Sequence, residues 1–411
     1  MILALLALVS PQAPEAPDFR VQDLKAHIYF LASESLEGRE AGTRGGHLAA
    51  QYVATQFRRY GLEPLPGQDS FLLPFEAERR TCYNTAAWLP GTDSSFQDQV
   101  LVIGGHHDHA GLGGGTTGGM GFPGEIHNGA DDNASGTAAV LELAEYFAAH
   151  PTPRPILFMT FSAEEKGLLG SQAFLHSDVL PKHKMRAMLN LDMVGNSENG
   201  YLFVGGLGTA LEFEPMLAPA FEKSDLKLEL KEGGRAPSDN SSFYEEEIPA
   251  LFFFTNVHPR YHLPADDPEH IQYEGEVEIL KLVRDITVAI QNFDGPLTFM
   301  EQPRMAVPAD FGKRMSNHMR RIAQMRRQKG KLGIDTGDPT RGGLAIRKVR
   351  EDSAAEEVGL LSGDVLVMVA NRKIQNRDDL IRALGPGRKG DLIDVVVLRD
   401  GERLQLQATL K

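Results

Sequence analysis

The sequence predicts an α/β protein with a mixed, mostly parallel sheet sandwiched by helices, followed by a small β-rich domain. Three observations carry this. Short β-rich runs alternate with helically spaced segments up to Phe293. Several of those runs, such as Ile156–Phe161 and Leu251–Phe254, are continuously apolar, as central strands buried on both faces are. Beyond a stretch punctuated by proline and glycine, residues 329–411 turn β-rich.

From Asp23 to Tyr60 the apolar spacing is helical, with Leu24, Ile28 and Leu31, then Ala49, Tyr52, Val53 and Phe57, and Gly61 as a stop. These read as covering helices. Strands are expected at Val100–Gly104, Ile156–Ser162, Met188–Asp192, Tyr201–Val204 and Ala250–Thr255. Helices are expected at Ala134–Ala149, near Leu168–Leu175, and at Glu212–Lys223 and Glu274–Phe293. Residues 294–309 hold four prolines or glycines and no periodicity, so they read as a linker. The next helix places Phe311, Met315, Met319, Ile322 and Met325 at three- and four-residue spacing, with arginines and lysines on its other sides. It reads as a connector docking its methionine face on a neighbouring domain. The last unit offers strands at Leu344–Val349, Asp364–Val369, Leu392–Leu398 and Arg403–Leu410, with Asp400-Gly401 as a hairpin turn. Asn376 caps a helix over Arg377–Leu384, and Gly385-Pro386-Gly387 ends it. The expected boundaries are a signal peptide or disordered tail over 1–17, an α/β domain over 18–295, a linker with a basic amphipathic helix over 296–328, and a β-rich domain over 329–411.

At 411 residues and about 150 per domain, two or three domains are expected. The single cysteine, Cys82, excludes an intramolecular disulfide. The net charge of −14 is uneven: residues 1–309 hold 21 Lys and Arg against 42 Asp and Glu. Such a field repels phosphate backbones and attracts cations, so nucleic acid is excluded as a partner while metal ions or a protonated amine suit it. No segment reaches the ~18–20 apolar residues of a transmembrane helix. Ile2–Val9 has the length of a signal-peptide h-region but lacks a basic flank, so export (periplasmic or extracellular) and a frayed tail both fit.

Five clusters of potential metal ligands fall at or just after the ends of predicted strands, where open α/β sheets place their sites. They are His106-His107-Asp108-His109, Asp131-Asp132-Asn133, Glu164-Glu165, Asp192 and Tyr261-His262. Each alone is weak, since a lone acidic pair is usually a solvated surface pair. Carboxylates crowded at the ends of apolar strands repel and would protonate, so together they need cations. Oxygen and imidazole donors without thiolate point to zinc, with cobalt or manganese as substitutes. Asp108, two residues after His106, can orient that imidazole.

At these residues the sequence closely resembles the two-zinc exopeptidase family that includes aminopeptidase Y, secreted bacterial leucyl aminopeptidases and glutaminyl cyclases. The resemblance runs from about Leu24 to Phe293. It rests on Gly105-His106-His107-Asp108-His109, the run Asn128–Gly136, Ser162-Ala163-Glu164-Glu165 through Ser171, Asn190-Leu191-Asp192-Met193-Val194-Gly195, and Tyr261-His262. It implies the zinc exopeptidase fold and two Zn²⁺ per chain. Asp132 would bridge them, His106 and Asp192 would complete one site, and Glu165 and His262 the other. It further implies Glu164 as general base toward a metal-bridging hydroxide and Tyr261 as hydroxyl donor to the oxyanion. Three carboxylates and a hydroxide would balance two Zn²⁺. His107, His109, His127 and His258 are expected to line the cleft or loop without binding metal, and Gly111–Gly124 to be a mobile loop beside the site. Where the family usually shows Ser-Asp-His, this chain has Ser238-Asp239-Asn240, which leaves the role of Asp239 open.

Residues 329–411 resemble a PDZ domain through Lys331-Leu332-Gly333-Ile334, Asp352–Glu356, Gly359-Leu360, Ser362–Leu366 and Arg399-Asp400-Gly401. Such a loop holds a peptide carboxylate beside the helix Asp378–Leu384; a domain that packs as a cap and binds no peptide fits the sequence equally. The resemblance implies a metallopeptidase acting on peptides, foremost an aminopeptidase. The alternatives are a glutaminyl cyclase, a carboxypeptidase or dipeptidase, for whose substrate carboxylate Arg235 is the visible basic candidate, and an inactive PDZ adaptor.

Overall fold

The computed structural model describes residues 19–113, 123–302 and 304–411. The signal-peptide expectation and most of the glycine-rich loop expectation fall outside the described residues.

The helices α1 (Val21–Leu31), α2 (Arg44–Arg59), α3 (Gly136–Ala149), α5 (Phe213–Lys223) and α7 (Tyr273–Asn292) cover one face of a nine-stranded sheet; α4 (Leu169–Leu175) and α6 (Asn240–Glu245) cover the other. Its strands are β1 (Glu63–Pro64), β2 (Leu72–Ala77), β3 (Arg80–Leu89), β4 (Val100–His106), β5 (Ile156–Phe161), β6 (Met185–Leu191), β7 (Tyr201–Gly205), β8 (Lys227–Leu230) and β9 (Ala250–Phe254). Their order is β1-β3-β5-β4-β6-β9-β7-β8, with β2 paired to β3. The central four strands, β5-β4-β6-β9, run parallel, and their flanks are antiparallel.

The period-2 alternation of a strand explains why these runs are apolar throughout. In β4, Leu101 and Ile103 enter the core beneath α1, α3 and α7, while Val100 and Val102 enter the core beneath α4 and α6. β5 divides likewise, with Ile156 and Phe158 on one side and Leu157, Met159 and Phe161 on the other. The chain leaves β4 toward β5 through α3 and later returns to β4's opposite side as β6. The end of β4 is therefore a topological switch point, with a crevice on the side where the parallel strands finish.

The antiparallel margin β1–β3 and the edge strand β8 were not expected. In β3 the run Thr81-Cys82-Tyr83-Asn84-Thr85 mixes polar with apolar residues although most of it is buried, because Asn84 donates to the Gly170 carbonyl and Thr85 pairs with Thr160.

Beyond the sheet, α8 (Phe311–Arg326) docks on the α/β domain. Asp310 at its start accepts from Asn256 Nδ2 at 2.7 Å, and Phe311 and Met315 pack with Phe252, Phe254 and Val257. Ile322 packs on Leu263. Met319, expected on the same face, is instead 44% exposed. At about 100° per residue the stripe through 311, 315 and 322 is centred nearer 318 than 319, and His318 is the buried residue.

The C-terminal sheet has the order β10-β11-β12-β14-β15, with β13 on β12: β10 (Ile334–Thr340), β11 (Gly343–Val349), β12 (Val365–Val369), β13 (Arg372–Lys373), β14 (Leu392–Arg399) and β15 (Glu402–Thr409). Its helices are α9 (Ala354–Glu357) and α10 (Arg377–Leu384); Asn376 and Asp379 form the capping box at the start of α10. Leu332, Leu344, Leu366, Val395, Val397 and Leu410 share a core of their own.

Glu125 of the α/β domain is clamped by this unit, lying 2.8 Å from Lys329 Nζ and 2.9 Å from Arg388. Burial opposes its charge, but Arg388 and Lys329 hold its carboxyl below the usual range. Gly124, at φ +86°, is needed here: a Cβ would stand 2.0 Å from the Ile381 carbonyl of α10.

Among the described residues no helix is long and apolar enough to cross a membrane.

Candidate metal centre

The ends of the parallel strands deliver the side chains. His106 is the last residue of β4, Glu164 and Glu165 follow β5, and Asp192 follows β6. His262 sits in the loop after β9, and Asp132 in the irregular turn that leads into α3.

Close backbone approach makes this possible. A Cβ on Gly105 would meet the Leu191 carbonyl at 2.5 Å, and one on Gly136 would meet the same oxygen at 2.3 Å. Asn133 then ties the crevice together: its Oδ1 accepts from Gly136 and Met193, and its Nδ2 donates to Leu191. The backbone of Asp131 and Asp132 is fixed by Asp266, whose Oδ2 accepts from both amides at 3.1 Å.

The result is two adjacent groups. In one, His106 Nε2 lies 3.3 Å from Asp132, 3.4 Å from Asp192 and 3.9 Å from Glu164. In the other, His262 Nε2 lies 2.8 Å from Asp132 and 3.3 Å from Glu165, and His109 Nδ1 lies 2.8 Å from Glu165. Donor atoms of His106, Glu164 and Asp192, and of His109, Asp132, Glu165 and His262, each fall within one coordination-sized cluster. Two ligands bound at about 2.1 Å to a tetrahedral ion stand about 3.4 Å apart, which is the spacing of His106 with Asp132 and Asp192.

Hydrogen bonds do not account for this crowd. Among the described residues, Asp192 Oδ1 and His109 Nε2 are buried without a hydrogen-bond partner. Buried polar atoms are rarely left so, and acids aimed at a common point repel. Charge tells the same story. Burial, followed by Glu165, Asp192 and Asp239, pushes the Glu164 carboxyl well above its usual range against the pull of His106. Against burial, Glu164 and Asp192 hold His106 well above an ordinary imidazole, and Glu165 does the same for His262. The donor set, its spacing and its orphaned atoms fit divalent cations.

Seven of the eight candidate site residues, His106, Asp132, Glu164, Glu165, Asp192, Tyr261 and His262, line this crevice, and the eighth, Asp108, is fully buried behind it. Asp108 acts differently from expectation. Its carboxylate accepts from the Glu164 amide at 3.1 Å, and it is its main-chain carbonyl that lies 3.2 Å from His106 Nδ1; the carboxylate is 3.7 Å from that nitrogen. The ring of Tyr261 stacks on His262 with centroids 3.8 Å apart. Burial, then Asp132 and Glu165, keeps its phenol protonated. His109, expected only to line the cleft, sits within the second group. His107 bonds Thr160 and His258 pairs with Asp131 at 3.1 Å, both away from the clusters. Asp239 is buried beneath the site, and burial raises its carboxyl to about 7.

Sequence reasoning missed Arg39. It is fully buried and donates to four carbonyls, those of Leu31, His107, Asn128 and Gly129, stitching the turn before α2 to both ligand-bearing loops. Burial lowers its pKa to about 10, against the pull of Asp132 and Asp108. The only sequence signal was an arginine in a Glu- and Gly-rich turn. Arg39→Met should cost about 3 kcal/mol or more, since four buried carbonyls lose their donor. Thermal unfolding of the metal-free protein checks this; an unchanged midpoint would contradict it.

Sequence reasoning also missed the reach of α8. Phe311 and Met315 join Met193, Phe252, Phe254 and Val257 around the pocket that holds His106, Asp132, Glu164, Glu165, Asp192 and His262, a cavity of about 120 Å³.

A helix-covered sheet, parallel at its centre and carrying paired histidine–carboxylate clusters at its strand ends, defines the zinc-exopeptidase class of fold. Residues 84–287 match the sequence model of peptidase family M28, and residues 330–410 match that of the PDZ domain. The chain belongs to peptidase family M28 and carries a PDZ domain after its peptidase domain. It is 29% identical over 262 residues to leupeptin-inactivating enzyme 1 of Streptomyces exfoliatus, covering 61% of this chain and 54% of that one. It is 36% identical over 157 residues to aminopeptidase YwaD of Bacillus subtilis, covering 36% and 34%. The chain thus spans about half, or less, of the length of these curated relatives. Among solved structures, BSAP, a zinc aminopeptidase from Bacillus subtilis, superposes with a TM-score of 0.54 at 20% identity, covering 68% of this chain and 99% of that one. A Zn-dependent exopeptidase from Parabacteroides distasonis gives 0.54 at 17% identity, covering 68% and 100%.

Proposed function

We propose that the chain is a zinc-dependent aminopeptidase with two metal ions per chain. The observation that carries this reading is the pair of adjacent His–carboxylate groups with Glu164 beside them in one small pocket. Asp132, lying between His106 and His262, would bridge the ions; His106 and Asp192 would hold one, and Glu165 and His262 the other, with His109 close enough to join. Bound zinc would polarise the scissile carbonyl and acidify the attacking water.

Glu164 takes the proton from that water on a carboxylate oxygen and passes it to the leaving nitrogen, so water is added across the C–N bond with no proton lost. The Asp108 carboxylate supports Glu164 by accepting its amide. The Tyr261 hydroxyl donates to the carbonyl oxygen as it gains negative charge. The carboxylates that line the pocket favour a protonated terminal amine. The apolar wall of Phe252, Phe254, Phe311 and Met315 suits an apolar first side chain. Arg235, the basic candidate for a carboxypeptidase, instead stacks on Tyr244 and lies 3.5 Å from Glu245. The relatives' names, among them an aminopeptidase and a zinc aminopeptidase, support the same activity.

Leucyl p-nitroanilide and free-amine peptides should be hydrolysed, N-acetylated peptides should not, and a chelator should abolish the activity. Cleavage of N-acetylated peptides from their carboxyl ends would overturn the reading, as would cyclisation of N-terminal glutamine without hydrolysis.

The PDZ groove between the free edge of β10 and α10 is proposed to hold a peptide C-terminus. Ile334, Leu380, Ile381 and Leu384 line it, with Arg347 and Arg377 at its sides. Among the described residues the amides of Leu332 and Gly333 have no acceptor, as a carboxylate-binding loop requires. An N-acetylated hexapeptide with a free carboxylate should bind the full chain, and its C-terminal amide should bind at least tenfold more weakly by calorimetry. Equal affinities would make the domain a cap.

A further inference from the structure

His258 belongs to neither ligand group, yet it is 1% exposed and tied to the loops that carry them. It stands in the loop after β9, four residues before His262 and three before Tyr261. Its Nδ1 accepts from the Arg260 amide at 3.1 Å, so the ring proton sits on Nε2. That nitrogen faces Asp131 Oδ2 at 3.1 Å. The His258 carbonyl in turn accepts from the Tyr261 amide at 3.1 Å, which draws 258–261 into one tight turn beside the ring.

Asp131 joins that turn to the rest of the site. Its Oδ1 accepts at 2.7 Å from the amide of Gly195, three residues beyond Asp192, and its own backbone runs directly into Asp132. One carboxylate thus links the three loops that bear Asp132, Asp192 and His262.

The far end of the loop is pinned separately. The Asp266 carboxylate accepts from the Asp131 and Asp132 amides, and its carbonyl accepts from the Ala130 amide at 2.9 Å. Residues 258–266 are therefore anchored at both ends on the turn 130–132, with Tyr261 and His262 between the anchors. His262 needs that support. Its φ is +52°, a left-handed conformation that a residue with a Cβ keeps only where its surroundings impose it.

The two anchors differ in kind. Asp266 grips backbone amides, so removing it would release the Asp131-Asp132 turn itself. His258 grips a side chain, so removing it would release the Tyr261-His262 end and leave that turn in place.

We propose that His258 is a positioning residue for one of the two metal ions: its Nε2–H contact with Asp131 sets the distance between Asp132 and the Tyr261-His262 pair. The inference rests on the two-metal reading. A ligand held loosely binds its ion more weakly, and partners that orient ligands are typically worth about 10- to 100-fold in metal affinity. Without the contact, the ion held by Asp132, Glu165 and His262 should weaken, while the ion held by His106, Asp132 and Asp192 should not.

The test is a zinc titration of chelator-stripped full-length protein, with bound metal per chain and calorimetric affinities read for the parent, His258→Gln, His258→Asn and His258→Leu. The Gln amide places a donor where Nε2 stands, whereas the Asn amide reaches only the position of Nδ1 and Leu supplies no donor. We expect the parent and His258→Gln to bind two ions with similar affinities. In His258→Asn and His258→Leu one ion should keep its affinity and the other should weaken about 10- to 100-fold. Excess zinc should then refill the weakened position, since its ligands remain. A variant that merely loosened the fold would weaken both ions alike. Should His258→Leu fail to fold, the Gln and Asn variants decide the matter, because they differ in where the amide falls. Two tight ions in His258→Asn would overturn the inference, as would equal weakening of both ions or a His258→Gln protein no better than His258→Asn. A parent that binds a single ion would instead overturn the two-metal reading beneath it.

Discussion

Glu164→Gln should lower kcat by about 10²–10⁴ while leaving metal content and KM near those of the parent, the range expected when an acid–base group is lost. The substitution keeps the side chain's volume and its amide bond to Asp108, so the pocket stays formed. What disappears is the oxygen that carries a proton from water to the leaving nitrogen. Glu164 stands 3.9 Å from His106 Nε2, farther than Asp132 or Asp192, which suits a group beside a metal rather than on it. Steady-state kinetics together with metal analysis decides the matter. Loss of zinc in the variant would make Glu164 a ligand and leave the base unassigned.

Asp132→Ala should have the larger effect on metal, emptying both positions, because among the described residues this carboxylate alone approaches both His106 and His262. Against burial, those imidazoles with His109 hold it well below the usual carboxylate range. With it gone, each remaining set keeps too few donors for a tight site, and activity should fall with metal content to near background. Because Asp266 fixes the backbone of residue 132 rather than its side chain, the fold should survive, and circular dichroism of the metal-free variant and parent should coincide. A variant that retains one tightly bound ion and measurable hydrolysis would show that the bridge is not needed.

The site was legible in the sequence to the extent that its residues lie at strand ends. Glu164 and Glu165 after Ile156–Phe161, and Asp192 at the end of the mostly apolar Met188–Asp192, place charge where an apolar run stops, and that pattern needs no neighbour from elsewhere to be noticed. The capping box at Asn376 and the Asp400-Gly401 hairpin were legible for the same local reason. What failed depends on partners far along the chain. Arg39 reads as an ordinary polar turn residue until Asn128 and Gly129 are folded over it. Asn84 and Thr85 make β3 look like a loop, because their partners are Gly170 and Thr160. β10 carries Gly337 and Pro339, which an edge strand tolerates and a central one does not. His318 drew no attention because a helix of methionines and arginines explained itself as a connector.

The measurement that tests the central claim most directly is zinc add-back to chelator-stripped full-length protein, with bound metal per chain and leucyl p-nitroanilide hydrolysis followed on the same samples. The account predicts that full activity coincides with two zinc ions per chain, and that Asp132→Ala neither binds the pair nor recovers. Full activity at one ion per chain, or hydrolysis persisting in stripped protein, would contradict it.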